Sequence, residues 1–209
     1  MENTYTEIVS HYEQCFLTHG DNHKGVDWPN QSDLDKRFQI AYELTQKNAA
    51  AKISILDFGC GNGLFVDYLA RNQLLDRVTY TGLDLSQIFI DCCQKKYPDL
   101  PFICADVLHA PEAIGQHDYI IMNGVLTEKR SLEFDNMWAY AQQLLTALYN
   151  HCNIGIAFNV MSAHVDWKRD DLFHLPFDQL AEFLKTNLSR NFAFRNDYGL
   201  YEYTTYVYR

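Results

Sequence analysis

Asp57-Phe58-Gly59-Cys60-Gly61-Asn62-Gly63 is the stretch on which the reading of this chain turns. It follows a short apolar run, Ile53-Ser54-Ile55-Leu56, and precedes Leu64, Phe65, Tyr68 and Leu69, which share one helical face. Strand, glycine loop and helix in that order let the backbone turn tightly and let a ligand come close to the main chain. A second acidic residue, Asp84, ends the next β-rich run (78–84), 21 residues after Gly63. A carboxylate at that point can accept two hydrogen bonds from a ribose diol, and in open α/β sheets ligands gather at the carboxyl ends of the strands.

Outward from the loop, strands and helices keep alternating. Ser86 is set to cap a helix that stops before Pro98. Short apolar runs at 102–105, 119–122 and 154–158 read as further strands. Phe134, Met137, Trp138, Ala141, Leu144, Leu145 and Leu148 form an amphipathic helix, and Phe177, Leu180, Leu184 and Leu188 mark another. Phe192-Ala193-Phe194 and the tyrosine-rich run 201–208 flank the turn Asn196-Asp197-Tyr198-Gly199, the pattern of an antiparallel hairpin. The prediction is an α/β fold, mainly parallel, with helices on both faces. Residues 1–50 differ. Ile8, Val9, Tyr12 and Phe16 share a helical face, a polar break follows at 19–25, and a second helix is expected from Ser32 or Asp33. No Gly, Ser or Pro linker follows, so residues 1–50 are read as an N-terminal helical cap on a cofactor-binding body, 51–209.

Composition narrows the function. The 209 residues are 47% hydrophobic and 21% charged, ordinary globular usage. Net charge is −10 with no basic stripe, which argues against a DNA-binding protein. None of the six cysteines forms a C-x-x-C pair and most lie in apolar segments, so reduced, buried thiols in a cytoplasmic protein are expected. Met1-Glu2-Asn3-Thr4-Tyr5 has no signal-peptide character, and no apolar run is long enough to cross a membrane. His11, His23, His109, His117, His151 and His174 show no ligand-like spacing with Cys or carboxylates, so no metal is expected.

Two cofactors fit the loop's outline. A dinucleotide prefers G-x-G-x-x-G with its pyrophosphate on the helix N-terminus. Here the sixth position is Leu64 and the loop reads G-x-G-x-G after an acid. That order suits S-adenosylmethionine, which has a ribose and no phosphate, and an acid such as Asp57 suits its ammonium group.

Further segments carry a family likeness. Residues 55–63, Gly82-Leu83-Asp84-Leu85-Ser86, the run from Phe102 through Asp106-Val107, and Asp118 through Asn123-Gly124-Val125 resemble, in order and spacing over about residues 50–208, the motifs of class I S-adenosylmethionine-dependent methyltransferases. The resemblance implies a three-layer Rossmann-like sheet of seven strands, the last antiparallel. It implies a cofactor site at Asp57, Gly59, Cys60, Gly61, Asp84 and Leu85, with Asp106 and Val107 at the adenine and Asn123 and Gly124 beside the transferred methyl. Gly25-Val26-Asp27-Trp28, 165–172 and 197–202 resemble more narrowly a bacterial group of small methyltransferases whose substrate is not settled.

Asn123-Gly124-Val125-Leu126 departs from the Asn/Asp-Pro-Pro-aromatic pattern that methylates planar amines, which lowers nucleic-acid amines and glutamine as acceptors. The expected acceptor is a small molecule; protein or RNA methylation, and a cofactor-binding scaffold subunit, are the rival readings. His164 is a candidate general base beyond the fifth strand, or else a loop histidine on the surface. Tyr201 joins it as a catalytic candidate, with Trp28, Asp166 and Tyr198 as candidate substrate contacts. Trp28 either walls the pocket, where an aromatic face suits a sulfonium, or anchors the cap. Arg37, His19 and Tyr12 are weaker candidates in the cap.

Overall fold

The computed structural model describes residues 5–209; Met1 to Thr4, on which part of the signal-peptide reading rests, lie outside the described residues. The elements run α1 (Thr6–His19), α2 (Gln31–Glu43), β1 (Ile53–Phe58), α3 (Leu64–Arg71), β2 (Val78–Asp84), α4 (Gln87–Lys96) and β3 (Phe102–Cys104). They continue β4 (His117–Leu126), α5 (Phe134–Tyr149), β5 (Cys152–Ser162), β6 (His174–Leu175), α6 (Phe177–Asn187), β7 (Phe192–Arg195) and β8 (Glu202–Tyr208).

Alternation along β1 sorts the core into two layers. Leu56 and Phe58 pack with α5 and α6, whereas Ile53 and Ile55 pack with α2 and α3, because successive side chains leave a strand on opposite faces. The same parity puts Ile156, Phe158 and Val160 of β5 in the first layer and Ala157 in the second. The sheet order is β3-β2-β1-β4-β5-β8-β7. β1, β2, β3, β4 and β5 pair in parallel, and β8 enters antiparallel between β5 and β7. The expected seven-strand path is therefore present. The two-residue β6, not foreseen, adds a parallel pair at the end of β5; it is too short to show alternation.

Two local expectations change. α2 begins at Gln31, after extended Asn30 and ahead of the expected start. Ser86 stands at the head of α4 without capping it, because its hydroxyl donates to Glu13 Oε1 of α1 at 2.6 Å. All six cysteines are free. Cys60, Cys93 and Cys152 are buried, but Cys15 and Cys92 are half-buried and Cys104 is exposed, so only half match the expected burial. Among the described residues no helix is long and apolar enough to cross a membrane.

Candidate functional site

The glycine loop turns on residues that only glycine suits. Gly59 has φ +72°, and a methyl group there would lie 2.3 Å from Val125 Cγ2. Close approach between the loop and the end of β4 is thus built on the missing side chain. Asp84 then ties the loop down. Its Oδ2 accepts from the Gly61 N–H and its Oδ1 from the Ser86 N–H, each at 2.9 Å. Burial raises the Asp84 pKa against the lowering effect of these backbone donors.

A cleft opens over the loop. Phe58, Gly59, Gly61, Asp84, Leu85, Asn123 and Gly124 line its floor, and Tyr5, Ile8, Val9 and Tyr12 of the N-terminal region, with Val26 and Trp28, line the opposite side. At the end of β4 the register with β5 shifts between Met122 and Leu126, and Gly124 takes φ +86° inside that irregularity. Trp28 lies against Gly124: a methyl group on Gly124 would come within 2.8 Å of the indole Cζ2.

Four residues named from the motifs do not line this cleft. Asp57 points to the other face of β1, 3% exposed, where its Oδ2 accepts from the Tyr80 hydroxyl at 2.6 Å. The parity of β1 puts residue 57 on the α2–α3 side, with Ile53 and Ile55. Cys60 is buried under the loop. Asp106 is held by hydrogen bonds from the Tyr5 hydroxyl, His109 and the Leu108 N–H. Burial works to raise its pKa, but those bonds win and keep the carboxyl below its ordinary range. Val107 packs in the core beside it.

Burial pushes the Asp57 pKa up to about 7, with the Tyr80 hydrogen bond opposing. An acid whose folded-state pKa lies above its unfolded value contributes stability that is full at acid pH and lost as pH rises through that folded value. Asp57→Asn keeps an acceptor for Tyr80 and removes the buried charge. Its melting temperature should exceed that of the unsubstituted protein by roughly 5 °C at pH 8, and the gap should close as pH falls toward 4. A gap independent of pH in parallel thermal melts would count against a titrating Asp57.

Beyond Trp28 lies a second, larger space. This chamber, of about 910 Å³, shares Tyr12, Val26 and Trp28 with the cleft and is lined further by Arg37, Glu128, Met161 and Leu200. Trp167 and Tyr201, 55% and 50% exposed, stand at its rim with ring centroids 6.0 Å apart. Tyr201 donates to Asp166 Oδ2 at 3.1 Å. Of the sequence-named candidates, Tyr12, His19, Trp28, Arg37 and Tyr201 line this chamber and Asp166 stands behind Tyr201. Tyr198 is buried beneath it, bonded to Thr204 Oγ1 at 3.0 Å. His164 reaches neither space; its ring stacks on Phe177, 5.6 Å away.

The chamber floor contains Arg37, named from the sequence only as a weaker candidate, together with two partners, Glu202 and Asn159, that the sequence reading did not single out. Arg37 lies with its guanidinium 4.0 Å over the Trp28 ring, and its Nε donates to both oxygens of Glu202 at 2.9 and 2.8 Å. Glu202 is 1% exposed and also accepts from Asn159 Nδ2 at 3.0 Å. Asn159 Oδ1 in turn accepts from the Gly124 N–H at 2.8 Å. A chain of polar contacts thus runs from Trp28 through Arg37, Glu202 and Asn159 back to Gly124. The signal available for Glu202 was a carboxylate in a strand otherwise made of Tyr, Thr and Val; its partner Arg37 is 165 residues away.

Comparison with known proteins agrees with this architecture. A family model described as a methyltransferase domain matches residues 55–149. Over 167 residues, 77% of this chain and 95% of the relative, the sequence is 32% identical to Rv1506c of Mycobacterium tuberculosis, a protein named as a methyltransferase. It is 35% identical over 97 residues to the phthiotriol/phenolphthiotriol dimycocerosates methyltransferase of Mycobacterium leprae, covering 46% of this chain and 34% of that protein. Among solved structures, the magnesium protoporphyrin IX methyltransferase ChlM of Synechocystis with bound S-adenosylmethionine superposes with a TM-score of 0.67 at 13% identity, over 99% of this chain and 97% of that one. The plantazolicin methyltransferase BpumL with bound S-adenosylhomocysteine superposes with a TM-score of 0.60 at 15% identity, over 100% and 93%. A relative matched along almost its whole length, and a domain match that begins on the strand leading into the glycine loop, make this chain a member of the class I S-adenosylmethionine-dependent methyltransferases.

Proposed function

We propose that the chain methylates a small-molecule acceptor held in the chamber behind Trp28. The observation that carries this reading is the chamber itself. Its volume of about 910 Å³ matches a small-molecule pocket, and it meets the cofactor cleft along a shared wall of Tyr12, Val26 and Trp28. The cleft suits the cofactor on its own geometry: a glycine loop at its floor, drawn so close to Val125 that Gly59 can carry no side chain, and a carboxylate, Asp84, beside it. When bound, S-adenosylmethionine supplies an electrophilic methyl on a sulfonium. The Asp84 carboxylate would hold the ribose hydroxyls. The backbone of Gly59 to Gly61 and the side chain of Leu85 would bed the cofactor, with Asn123 and Gly124 at its reactive end. Tyr12, whose hydroxyl reaches the Gly124 carbonyl at 3.5 Å, and Trp28 would exclude water and align the acceptor across the boundary.

Residues 1–50 act in this reading as a cap over the body formed by 51–209. Asp57, bonded to Tyr80, would steady the loop from behind and act on the ammonium group only through the main chain. Asp106 and Val107 would meet the adenine once Tyr5 gives way. Tyr201, Asp166 and Trp167 would guide the acceptor at the rim.

The test is transfer of a labelled methyl from S-adenosylmethionine to cell extract separated by size. The label should appear in the low-molecular-weight fraction and decrease in Trp28→Ala. Label confined to protein or RNA would replace the small-molecule reading with a macromolecular one. Cofactor binding with no label in any fraction would favour a scaffold subunit.

A further inference from the structure

We propose a structural metal site for a zinc-like divalent ion at the junction between the N-terminal helix and the chamber, formed by His11, Cys15, Asp27 and Glu128. His11 and Cys15 are one turn apart on the same face of α1, a spacing that the sequence reading did not count as ligand-like. Asp27 follows the short helical turn His23–Val26, and Glu128 follows β4. Two segments thus bring three donor atoms to one point, and a third segment brings Glu128 up to the His11 side. His11 Nε2 lies 2.8 Å from Asp27 Oδ2, 3.7 Å from Cys15 Sγ and 3.8 Å from Glu128 Oε2. The ligand atoms of His11, Cys15 and Asp27 all lie within 4.8 Å of one another.

Hydrogen bonding alone leaves this cluster poorly resolved. An imidazole nitrogen carries at most one proton, so Nε2 can donate to only one of these three neighbours. Two carboxylates and a thiol meet there, and Arg130 pairs with Glu128 at 3.3 Å. A cation among the four donors satisfies all of them at once. Tetrahedral zinc, with bonds of roughly 2.0 to 2.3 Å, separates its ligand atoms by about 3.3 to 3.8 Å. Two of the three measured separations already fall there, and the Asp27 contact needs only to open slightly. Imidazole, thiolate and carboxylate together select a borderline ion such as zinc over magnesium or calcium. With Glu128 swung onto the ion as fourth donor the site closes, which marks a structural ion. The ion would fasten α1 and the Asp27 turn to the loop after β4. Binding converts the Cys15 thiol to a thiolate and releases its proton to solvent.

The test uses the full chain, stripped with chelator and titrated with Co²⁺. Expected is a thiolate-to-cobalt charge-transfer band together with the intense visible bands of a tetrahedral ion, saturating at one ion per chain and bleached by Zn²⁺. Cys15→Ser should abolish the charge-transfer band and weaken Zn²⁺ binding by more than about 100-fold, beyond the usual cost of losing a supporting contact. Zn²⁺ should raise the melting temperature of the unsubstituted protein and not that of Cys15→Ser. Should Cys15→Ser fail to fold, Asp27→Asn, at an exposed position, serves instead and should weaken binding by at least about tenfold. No tetrahedral bands at saturating Co²⁺, the same bands in Cys15→Ser, or undiminished affinity in Asp27→Asn would each overturn the site. Methyl transfer enters none of these readouts, so failure here leaves the proposed acceptor chamber untouched.

Discussion

Replacing Glu202 with leucine should cost about 3 kcal/mol of folding stability, a large share of what a domain of this size holds. Glu202 is 1% and the Arg37 side chain 11% exposed, so the substitution leaves a guanidinium charge with little water and no counter-charge. It also strips the Asn159 amide of its acceptor. Removing one member of a buried pair costs more than the pair contributes, because the desolvation of the survivor is no longer offset. The double variant Glu202→Leu with Arg37→Met should therefore be more stable than the single one. Urea unfolding of all three proteins decides the matter. A single variant within 1 kcal/mol of the parent would mean that water reaches Arg37 and that the pair is not a true interior contact.

Asp84→Ala should weaken S-adenosylhomocysteine binding by more than about tenfold in a calorimetric titration. Two effects point the same way. The carboxylate proposed to hold the ribose hydroxyls is gone. The Gly61 and Ser86 amides, each bonded to Asp84 at 2.9 Å, also lose the anchor that shapes the loop before any ligand arrives. Asp84→Asn retains one acceptor oxygen and should fall between the alanine variant and the parent. Parent-like affinity in the alanine variant would remove Asp84 from the site.

These two residues also show which parts of the molecule the sequence makes visible. Asp84 is legible because its position is local: it ends a strand one unit after a glycine loop, and both partners of its carboxylate lie on nearby turns. The strand–helix alternation and the antiparallel hairpin are legible for the same reason, since periodicity and turn chemistry act over a few residues. Glu202 is illegible because its partner comes from α2, on the far side of the sequence. His11, Asp27 and Glu128 share that difficulty. Asp57 and Asp106 illustrate a subtler limit. A motif specifies which residue stands at a strand end, but not which neighbour captures its side chain. Tyr80 takes the first, and Tyr5, at the head of α1, takes the second. His164 belongs with them: its position after the fifth strand was right for a catalytic group, yet aromatic stacking on Phe177 holds it elsewhere.

The antiparallel entry of β8 between β5 and β7 also bears on how the protein is made. On the ribosome, segments fold in the order in which they emerge. The whole parallel half of the sheet, with the glycine loop, is synthesised before Glu202 appears. Until then residues 155–161 of β5, which β8 eventually covers, form an open ladder of unpaired amides and carbonyls. β7 has no strand to pair with in that interval, since its ladder is also with β8. The nascent chain thus carries an adhesive edge from the completion of β5 at Ser162 until β8 appears at Glu202, and β8 is the strand that seals it. Synonymous changes that slow decoding just upstream of codon 202 should therefore lower the soluble yield while leaving the finished protein chemically identical.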